Sequence, residues 1–339
     1  MPENSFFPVQ RVGPLAKLPS LIEELGFDPT LLFDGWSAVP TEISDQDAYI
    51  PYQQAETILA RAAELTGCPH IGLVLGSRMD ASILGIAGEV LAAIPVLGDA
   101  IKEFIGLQPI NSSGAVVYLL PHGKDYLLGY GAHQYNGGIN RHVYDLSLAV
   151  AFRVLSDVTG GAAHPMEVLM CHDNHADRRH YEAVFKAPVR FNQRHAALVY
   201  SGSALEMPVI TASSVKRDQL MAMLAQNPSA GQPVSSRVRR LLRSLLLLNC
   251  GTMRDIADAL GMDVRVLRRK LVAEGATFQD IRDEVRHGLA MELLQLTRMP
   301  VSEIADALSF SHHSTFTRAF RRWSNVSPAQ FRAASLPPN

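Results

Sequence analysis

Cysteine is scarce in this sequence, and its scarcity excludes a disulfide framework. The three cysteines, Cys68, Cys171 and Cys250, lie far apart, and no two of them form a CxxC pair. A secreted domain held by disulfides needs more cysteines at closer spacing. With 47% hydrophobic and 19% charged residues, the composition is that of a globular protein whose thiols stay reduced.

Long hydrophobic runs are also lacking. The most apolar stretch, Ile83 to Leu97, is interrupted by glycine, glutamate and proline, and it is shorter than the roughly 20 residues of a membrane-spanning helix. The N-terminal MPENSFFPVQRVG has no basic segment followed by an apolar core, which a secretory signal requires. The sequence therefore predicts a cytoplasmic protein with no membrane partner.

Catalytic motifs are missing as well. The chain has no G-x-S-x-G elbow and no P-loop, and GYGAHQ at 129–134 lacks the third glycine of a dinucleotide loop. Cys171, His172, His175 and His180 would form a metal cluster only if a helix or tight loop brought them together, and such loops commonly carry solvated histidines. We predict no enzyme activity, no catalytic residue, no cofactor and no metal site.

Charge divides the chain into two parts. Residues 1–233 carry 15 Lys and Arg against 23 Asp and Glu, a net charge of -8, whereas residues 234–339 carry 16 against 10, a net charge of +6. A basic second part suits a polyanionic partner, although a solvated basic face would have the same composition.

A stretch rich in proline, glycine and serine lies where the charge changes. This stretch, QNPSAGQPVSS at 226–236, predicts a linker. At 339 residues the chain is long enough for two domains that each bury a core. We expect one domain over residues 1–225 and another over residues 237–335.

The second part contains an identical internal repeat. IADAL occurs at 256–260 and again at 304–308, and each copy follows a helix-start residue, Thr252 in the first and Ser302 in the second. Each copy is followed by a short break, one residue longer in the second copy, and then by a basic amphipathic segment. This order predicts two helix-turn-helix units, each presenting its second helix to a DNA major groove.

The second helix of each predicted unit has an apolar inner face and a basic outer face. Leu267 and Leu271 lie on the inner face of the first of these helices, and Phe316 and Phe320 lie on the inner face of the other, each pair at i, i+4 spacing. The outward residues are Arg265, Arg268 and Arg269 in the first helix and His313, Ser314, Thr315 and Arg318 in the second. The candidate phosphate anchors are Arg321, Arg322 and Arg332. Residues 310–332 contain no Asp or Glu, because a carboxylate there would face phosphate oxygens.

Residues 277–297 predict one long helix between the two units. At about 1.5 Å per residue, roughly 18 helical residues span about 27 Å. This length is close to the separation of successive major grooves on one face of a duplex, about 34 Å. The two second helices are therefore expected to enter neighbouring grooves.

Residues 250–332 resemble the DNA-binding domain of the AraC/XylS family of bacterial transcription regulators. The closing stretch, F-S-x-x-S-x-F-x-R-x-F-R-x-W-x-x-x-S-P-x-x-F-R, is similar to the signature of that family. The resemblance places base contacts on Arg265, Arg268, Arg269, Ser314, Thr315 and Arg318. His312 and His313 depart from the small or amide residues common in the family. The resemblance implies promoter DNA and RNA polymerase as partners.

The first part is predicted to be an α+β domain, so that the fold class is α+β followed by an all-α domain with two helix-turn-helix units. The order of its segments over about residues 20–208 resembles the arabinose-binding-like effector domain of many such regulators. Predicted helices cover 47–66 and 146–155, a hairpin covers 115–121 and 125–133, and further strands cover 166–171, 189–191 and 197–200.

The size of the first domain indicates a sensor, because a DNA-binding unit alone needs only about a hundred residues. Tyr130, His133, Tyr135 and Arg141 surround a glycine-rich turn at 135–140 and are candidate contacts for a small-molecule effector, in a cavity closed by residues 83–97. An exposed sheet face is the alternative for each of them. The domain would also form a homodimer. Two different roles stay open for the first domain: one that only dimerises or binds a protein, and an enzyme fused to a DNA-binding module.

Overall fold

The computed structural model describes residues 8–33, 45–133, 140–174, 176–226 and 233–335. The chain forms an α+β domain followed by an all-helical domain, which confirms the predicted fold class. A short antiparallel pair, β1 (Val9–Arg11) and β2 (Tyr49–Pro51), lies near the N-terminus. Within the described residues, no helix is long and apolar enough to cross a membrane.

A five-stranded sheet forms the centre of the first domain. Its strands are β3 (Ala115–His122), β4 (Asp125–Ala132), β5 (Glu167–Leu169), β6 (Val189–Arg190) and β7 (Ala196–Ser201). The spatial order is β3-β4-β7-β5-β6, and every neighbouring pair is antiparallel except β5 and β6. The predicted hairpin is confirmed, with a tight turn in which Gly123 adopts φ 64°.

Helices surround one face of this sheet. The described helices of the first domain are α1 (Leu18–Glu24), α2 (Tyr52–Thr66), α3 (Ile71–Gly76), α4 (Gly85–Ala93), α5 (Leu97–Leu107), α6 (Arg141–Val158), α7 (Arg178–Phe185), α8 (Gly202–Leu205) and α9 (Ser214–Gln226). The long helix α6 packs on α3 and against β4 and β7. Its length includes the predicted segment 146–155, which is confirmed as helical.

The predicted helix at 47–66 begins too early. Residues 49–51 form β2 instead, and α2 begins at Tyr52. The physical reason is Pro51, which disfavours helical conformation in the residue before it and is the N-cap of α2, with φ -52° and ψ 134°. The helix ends as predicted at Thr66, where Gly67 adopts a left-handed conformation.

The second domain consists of seven helices within residues 233–335. They are α10 (Val234–Leu245), α11 (Met253–Ala259), α12 (Val264–Ala273), α13 (Phe278–Leu296), α14 (Val301–Ala307), α15 (His313–Ser324) and α16 (Pro328–Ser335). Two helix-turn-helix units, α11 with α12 and α14 with α15, are joined by α13. The longer second turn is confirmed, because four residues separate the first pair of helices and five separate the second pair.

The starts of the two units differ. Thr252 caps α11 in a capping box with Asp255, as the sequence predicts. The predicted start at Ser302 is wrong, because α14 begins at Val301 behind Pro300, whose fixed φ suits the N-cap position. The residue with a positive φ also differs between the two turns. Gly261 supplies a positive φ in the first turn, and Ser309 supplies it in the second.

The central sheet is buried on both faces. Leu119, Leu128 and Leu198 point into the core of the first domain. Their neighbours Tyr118, Leu127 and Ala197 belong to the core of the second domain, together with side chains of α10, α13 and α14. This alternation explains why residues 115–120 of β3 are continuously apolar, since neither face of this part of the strand is exposed.

Gly131 of β4 lies at a close contact between the two domains. A Cβ atom at this position would lie 2.6 Å from the Leu296 carbonyl oxygen and 2.6 Å from Cγ2 of Thr297. Both neighbours lie at the C-terminal end of α13, and one of them is backbone that cannot move without shifting the helix. The absence of a side chain at Gly131 therefore allows the second domain to sit against the sheet.

We predict that Gly131→Ala destabilises the protein by about 1 to 3 kcal/mol, because the added methyl group overpacks the contact between the domains. Gly288→Ala in α13 is the matched control, since a Cβ there meets nothing within 4 Å. The control should be neutral or stabilising by up to about 1 kcal/mol. Denaturant unfolding of the full chain measures both, and equal stability of the two variants would contradict the close packing at Gly131.

Candidate nucleic-acid interface and internal cavity

Helix α12 presents a basic face to solvent. Leu267 and Leu271 are 0% and 1% exposed and fix the helix on the domain core. Asp263 caps the helix by accepting a hydrogen bond from the backbone N–H of Arg265, at 2.7 Å. The predicted contact residues Arg265, Arg268 and Arg269 are all exposed. The helix therefore has the buried and exposed faces that a recognition helix requires.

Helix α15 repeats this arrangement with different chemistry. Phe316 and Phe320 are both fully buried, and their rings lie 5.9 Å apart. The predicted contact residues His313, Ser314 and Arg318 are exposed, and Thr315 is half-buried. The candidate phosphate anchors Arg321 and Arg322 are exposed in the last turn. The structure thus brings every predicted contact residue of this unit onto one helix.

The recognition arginines are Arg265, Arg268, Arg269 and Arg318. Within residues 233–335, no ion pair or hydrogen bond engages the guanidinium group of any of them. Arg322 differs, because its Nη2 lies 3.5 Å from Oδ2 of Asp283. Unpaired guanidinium groups on an exposed surface retain their full capacity to bind phosphate oxygens or guanine edges.

The prediction for Arg332 is wrong. Its guanidinium group donates to the backbone carbonyls of Leu294, at 3.1 Å, and Met299, at 2.6 Å. Burial lowers the pKa of Arg332. This side chain satisfies the carbonyls at the end of α13 and ties α16 to that end, so it is not available as a phosphate anchor.

A cavity of about 130 Å³ lies inside the first domain. It is lined by α2, α6, the β3–β4 hairpin and the predicted apolar segment, which contributes Leu84 and Leu91. Tyr130, one of the predicted effector contacts, lines this cavity. The cavity and the second domain therefore lie on opposite faces of the same hairpin.

Three hydroxyl groups meet at the wall of this cavity. The Tyr130 hydroxyl lies 3.4 Å from the Tyr52 hydroxyl and hydrogen-bonds the side chain of Ser147. All three residues line the cavity, and we refer to them as the hydroxyl cluster. Burial raises the pKa of Tyr130, so its proton is held and the hydroxyl can donate as well as accept.

Sequence reasoning missed Tyr52 and Ser147. Both lie on long helices whose pattern is typical of ordinary core packing, at positions where the side chain faces the sheet. The one available signal was a polar residue on an otherwise apolar helix face. That signal does not distinguish a satisfied core hydroxyl from a ligand contact without the structure.

The other predicted effector contacts do not line the cavity. His133 is half-buried at the end of β4, and desolvation lowers its pKa. Arg141 is the first residue of α6, and its positive charge acts to lower the pKa values of two buried side chains, Tyr181 and His172. Tyr135 lies outside the described residues. Their roles in binding an effector stay predictions.

The histidines near Cys171 are engaged in other contacts. The His172 Nε2–H donates to Asp145, at 3.0 Å, and its Nδ1–H donates to the carbonyl of Asp173, at 2.8 Å. Burial alone would lower the pKa of His172, but these two hydrogen bonds stabilise the charged ring more strongly, so the pKa is raised. The His180 ring stacks on His70, at 4.3 Å between centroids. His175 lies outside the described residues, among which no three residues form a metal-binding group.

A chain of polar contacts crosses the boundary between the domains. The Tyr118 hydroxyl donates to Nδ1 of His195, at 3.0 Å, and the Nε2–H of His195 donates to Glu303, at 2.9 Å. Tyr118 lies on β3, and Glu303 lies in α14, the first helix of the second unit. The half-buried pair of Arg240 and Glu103 adds a second contact, at 3.2 Å.

Two family models match the chain. Residues 26–209 match the arabinose-binding domain at the N-terminus of AraC transcription regulators. Residues 256–334 match a helix-turn-helix domain. The first match covers more than half of the chain, and the second covers most of both helix-turn-helix units.

Relatives of similar length are transcription regulators. The ornithine utilization regulator of Pseudomonas aeruginosa is 29% identical over 332 residues, with 94% of each chain covered. The transcriptional regulator VirS of Mycobacterium tuberculosis is 27% identical over 327 residues, with 92% of this chain and 93% of that protein covered. Among solved structures, the regulator CdpR of P. aeruginosa is 22% identical, with a TM-score of 0.45 over 84% of this chain and 93% of that one.

We predict that Arg269→Ala and Arg318→Ala each weaken binding to a cognate DNA site by about 1 to 3 kcal/mol, because each removes a contact to a base edge. Arg322→Ala should weaken all DNA sequences alike. Arg190→Ala, in the exposed pair with Glu167 on the first domain, is the control and should have no effect. Titration with cognate and random duplexes measures these affinities. Equal losses on both duplexes for all three arginines would contradict base recognition.

We predict that ionised Glu303 stabilises the contact between the domains above pH 4.5, and that this stabilisation is lost when the carboxylate is protonated at lower pH. The hydrogen bond from His195 lowers the pKa of Glu303 below its usual value of 4.5, despite burial. A lowered folded pKa gives stability that is present above the unfolded pKa and is lost as the pH falls through the folded pKa.

Thermal unfolding from pH 7 to about pH 3.5 therefore measures this contribution. Glu303→Gln should lower the melting temperature at pH 7 and converge with the unchanged protein at the acid end. Glu284→Gln is the control, because Glu284 forms an exposed pair with Arg239 that contributes little. A constant difference for Glu303→Gln across the whole range would contradict the ionised contact.

Proposed function

Because the chain belongs to the AraC family of transcription regulators, we propose that it binds promoter DNA through α12 and α15 and that a small molecule in the first domain controls this binding. The observation that carries the proposal is the outer surface of these two helices. Their recognition arginines are exposed and unpaired within residues 233–335. In this proposal they read base edges together with Ser314 and Thr315.

Phosphate contacts complete the proposed interface. Arg321 and Arg322 lie in the last turn of α15, beside the base-reading residues, and anchor the helix on the backbone. His313 sits in the first turn of that helix, where an imidazole can bond either a phosphate or a base edge. The absence of Asp and Glu from residues 310–332 supports the whole arrangement, since no carboxylate in that stretch repels the duplex.

Helix α13 sets the spacing of the two units. It contains 19 residues and therefore spans roughly 28 Å, which suits two neighbouring major grooves on one face of the duplex. The two contact sets are chemically different, with three arginines in one and Ser, Thr and Arg in the other. Each subunit would therefore read an asymmetric site with two unequal clusters of bases.

Control by an effector would act through differential affinity. A ligand changes the population of a DNA-competent arrangement only if it binds that arrangement better or worse than the alternative. The β3–β4 hairpin supports this control, because its inner face lines the cavity and its outer face packs against α13 and α14. We assign effector binding to this cavity, with Tyr130 as a direct contact.

We propose the following division of the chain. Residues 1–225 sense the effector and dimerise, and residues 237–335 bind DNA, while the predicted linker at 226–236 shares its last three residues with the start of α10. Exposed apolar side chains on and before α9, at Ile210, Val215 and Met223, favour pairing with a second copy. A promoter-proximal site would place this homodimer beside RNA polymerase. The relatives are regulators, and we propose no enzyme activity.

The two-groove arrangement predicts a strict dependence on DNA spacing. Inserting about five base pairs between the two base clusters rotates one of them to the far side of the duplex, where only one unit can engage. We expect a large loss of affinity for residues 234–339, measured at one fixed salt concentration. Inserting a full turn of about ten base pairs is the control for added length. Unchanged affinity after the half-turn insertion would contradict the proposal.

A further inference from the structure

The internal cavity of the first domain has an uncharged wall. Among the described residues that line it, none is Asp, Glu, Lys, Arg or His. Most of the wall consists of aliphatic side chains, such as Leu59, Leu146 and Val154. Glu56 lies behind this wall, close enough to act electrostatically on Tyr52 and Tyr130, but burial raises the pKa of Glu56 to about 8, so that its carboxyl group is mainly neutral at pH 7. A ligand charge placed in the cavity would therefore lose its hydration without gaining an opposite charge, which costs several kcal/mol.

The polar part of the wall is neutral as well. It comprises the hydroxyl cluster together with Gln10, Gln108, Asn111 and Ser112. Hydroxyl groups both donate and accept hydrogen bonds, so the cluster can satisfy one hydroxyl or one carbonyl group of a ligand. Its three members come from α2, β4 and α6, and these elements therefore hold the cluster in place from three sides.

The size of the cavity limits the ligand. Its volume is about 130 Å³. An apolar cavity of about 150 Å³ in another protein takes up benzene, which has six non-hydrogen atoms. Amino acids of similar size carry two charged groups, for which this wall offers no opposite charge.

Resting on the sensing role proposed above, we propose that the cavity binds an uncharged, mainly apolar compound about the size of a singly or doubly substituted benzene ring, with one hydroxyl or carbonyl group. The hydroxyl cluster recognises that group. The aliphatic wall binds the remainder of the compound through burial of apolar surface. Tyr130 is then the residue that determines specificity, since its hydroxyl contacts both other members of the cluster.

The test uses the full chain and four probes of nearly equal shape. They are p-cresol, toluene, benzoate and benzylamine, which are neutral with a hydroxyl, neutral without one, anionic and cationic at pH 7. Calorimetric titration and thermal melting measure binding directly, without DNA. We expect p-cresol to bind roughly three- to tenfold more tightly than toluene, as one neutral hydrogen bond allows. The two charged probes should not bind.

Variants locate the binding in the cavity. Tyr130→Phe keeps the ring and removes the hydroxyl, so p-cresol should lose its advantage over toluene while toluene binding stays unchanged. Ala55→Leu adds a side chain to the wall and should remove binding of both. Tyr126→Phe is the matched control, because Tyr126 lies on the same strand and does not line the cavity. Should Ala55→Leu fail to fold, Tyr130→Phe alone decides.

The proposal is overturned if a charged probe binds as tightly as p-cresol, if neither neutral probe binds, or if Tyr130→Phe leaves the preference for p-cresol intact. Failure of the proposed regulation has a different signature. In that case p-cresol binds and responds to the variants as expected, but the affinity of the full chain for DNA is the same with and without it. That result would support the proposed ligand class and contradict the proposed control of DNA binding.

Discussion

The burial of the β3–β4 hairpin on both faces is the constraint on which the rest of the structure depends. Successive side chains of a strand point to opposite sides, so Leu119 and Leu128 belong to one domain core while Tyr118 and Leu127 belong to the other. Packed interiors are dense and shift as units. In the proposed function, a displacement of the hairpin by a molecule in the cavity is transmitted to the surface that holds the second domain.

The contact between the domains leaves the recognition surface open. The second domain meets the sheet through residues 246–248, α13 and Glu303 of α14, and α10 packs on α5, whereas the outward residues of α12 and α15 remain exposed. Glu303 connects the two regions most directly, because it pairs with His195 of the first domain from the helix that packs against α15. In the proposed function, sensing and DNA binding thus use different surfaces, which are connected through the β3–β4 hairpin.

The sequence predicted the second domain far better than the first. An identical repeat, capping residues and i, i+4 aromatic pairs are local signals, and Thr252, Phe316 and Phe320 behave as their spacing indicates. The predicted helix start at Ser302 was wrong because α14 begins directly after Pro300. The predicted phosphate contact of Arg332 was wrong because its guanidinium group binds a backbone carbonyl of α13, which is distant in the sequence. The hydroxyl cluster joins three elements that are far apart in the chain, and no local pattern reveals it.

The proposed coupling through the hairpin is tested most directly by amide hydrogen exchange of the full chain, free and bound to its DNA site. DNA contacts only the second domain in this account, so any change in the sheet must pass through the contact between the domains. We expect altered exchange in β3 and β4, with α7, on the other side of the first domain's core, unchanged. A change confined to residues 233–335 would contradict the coupling.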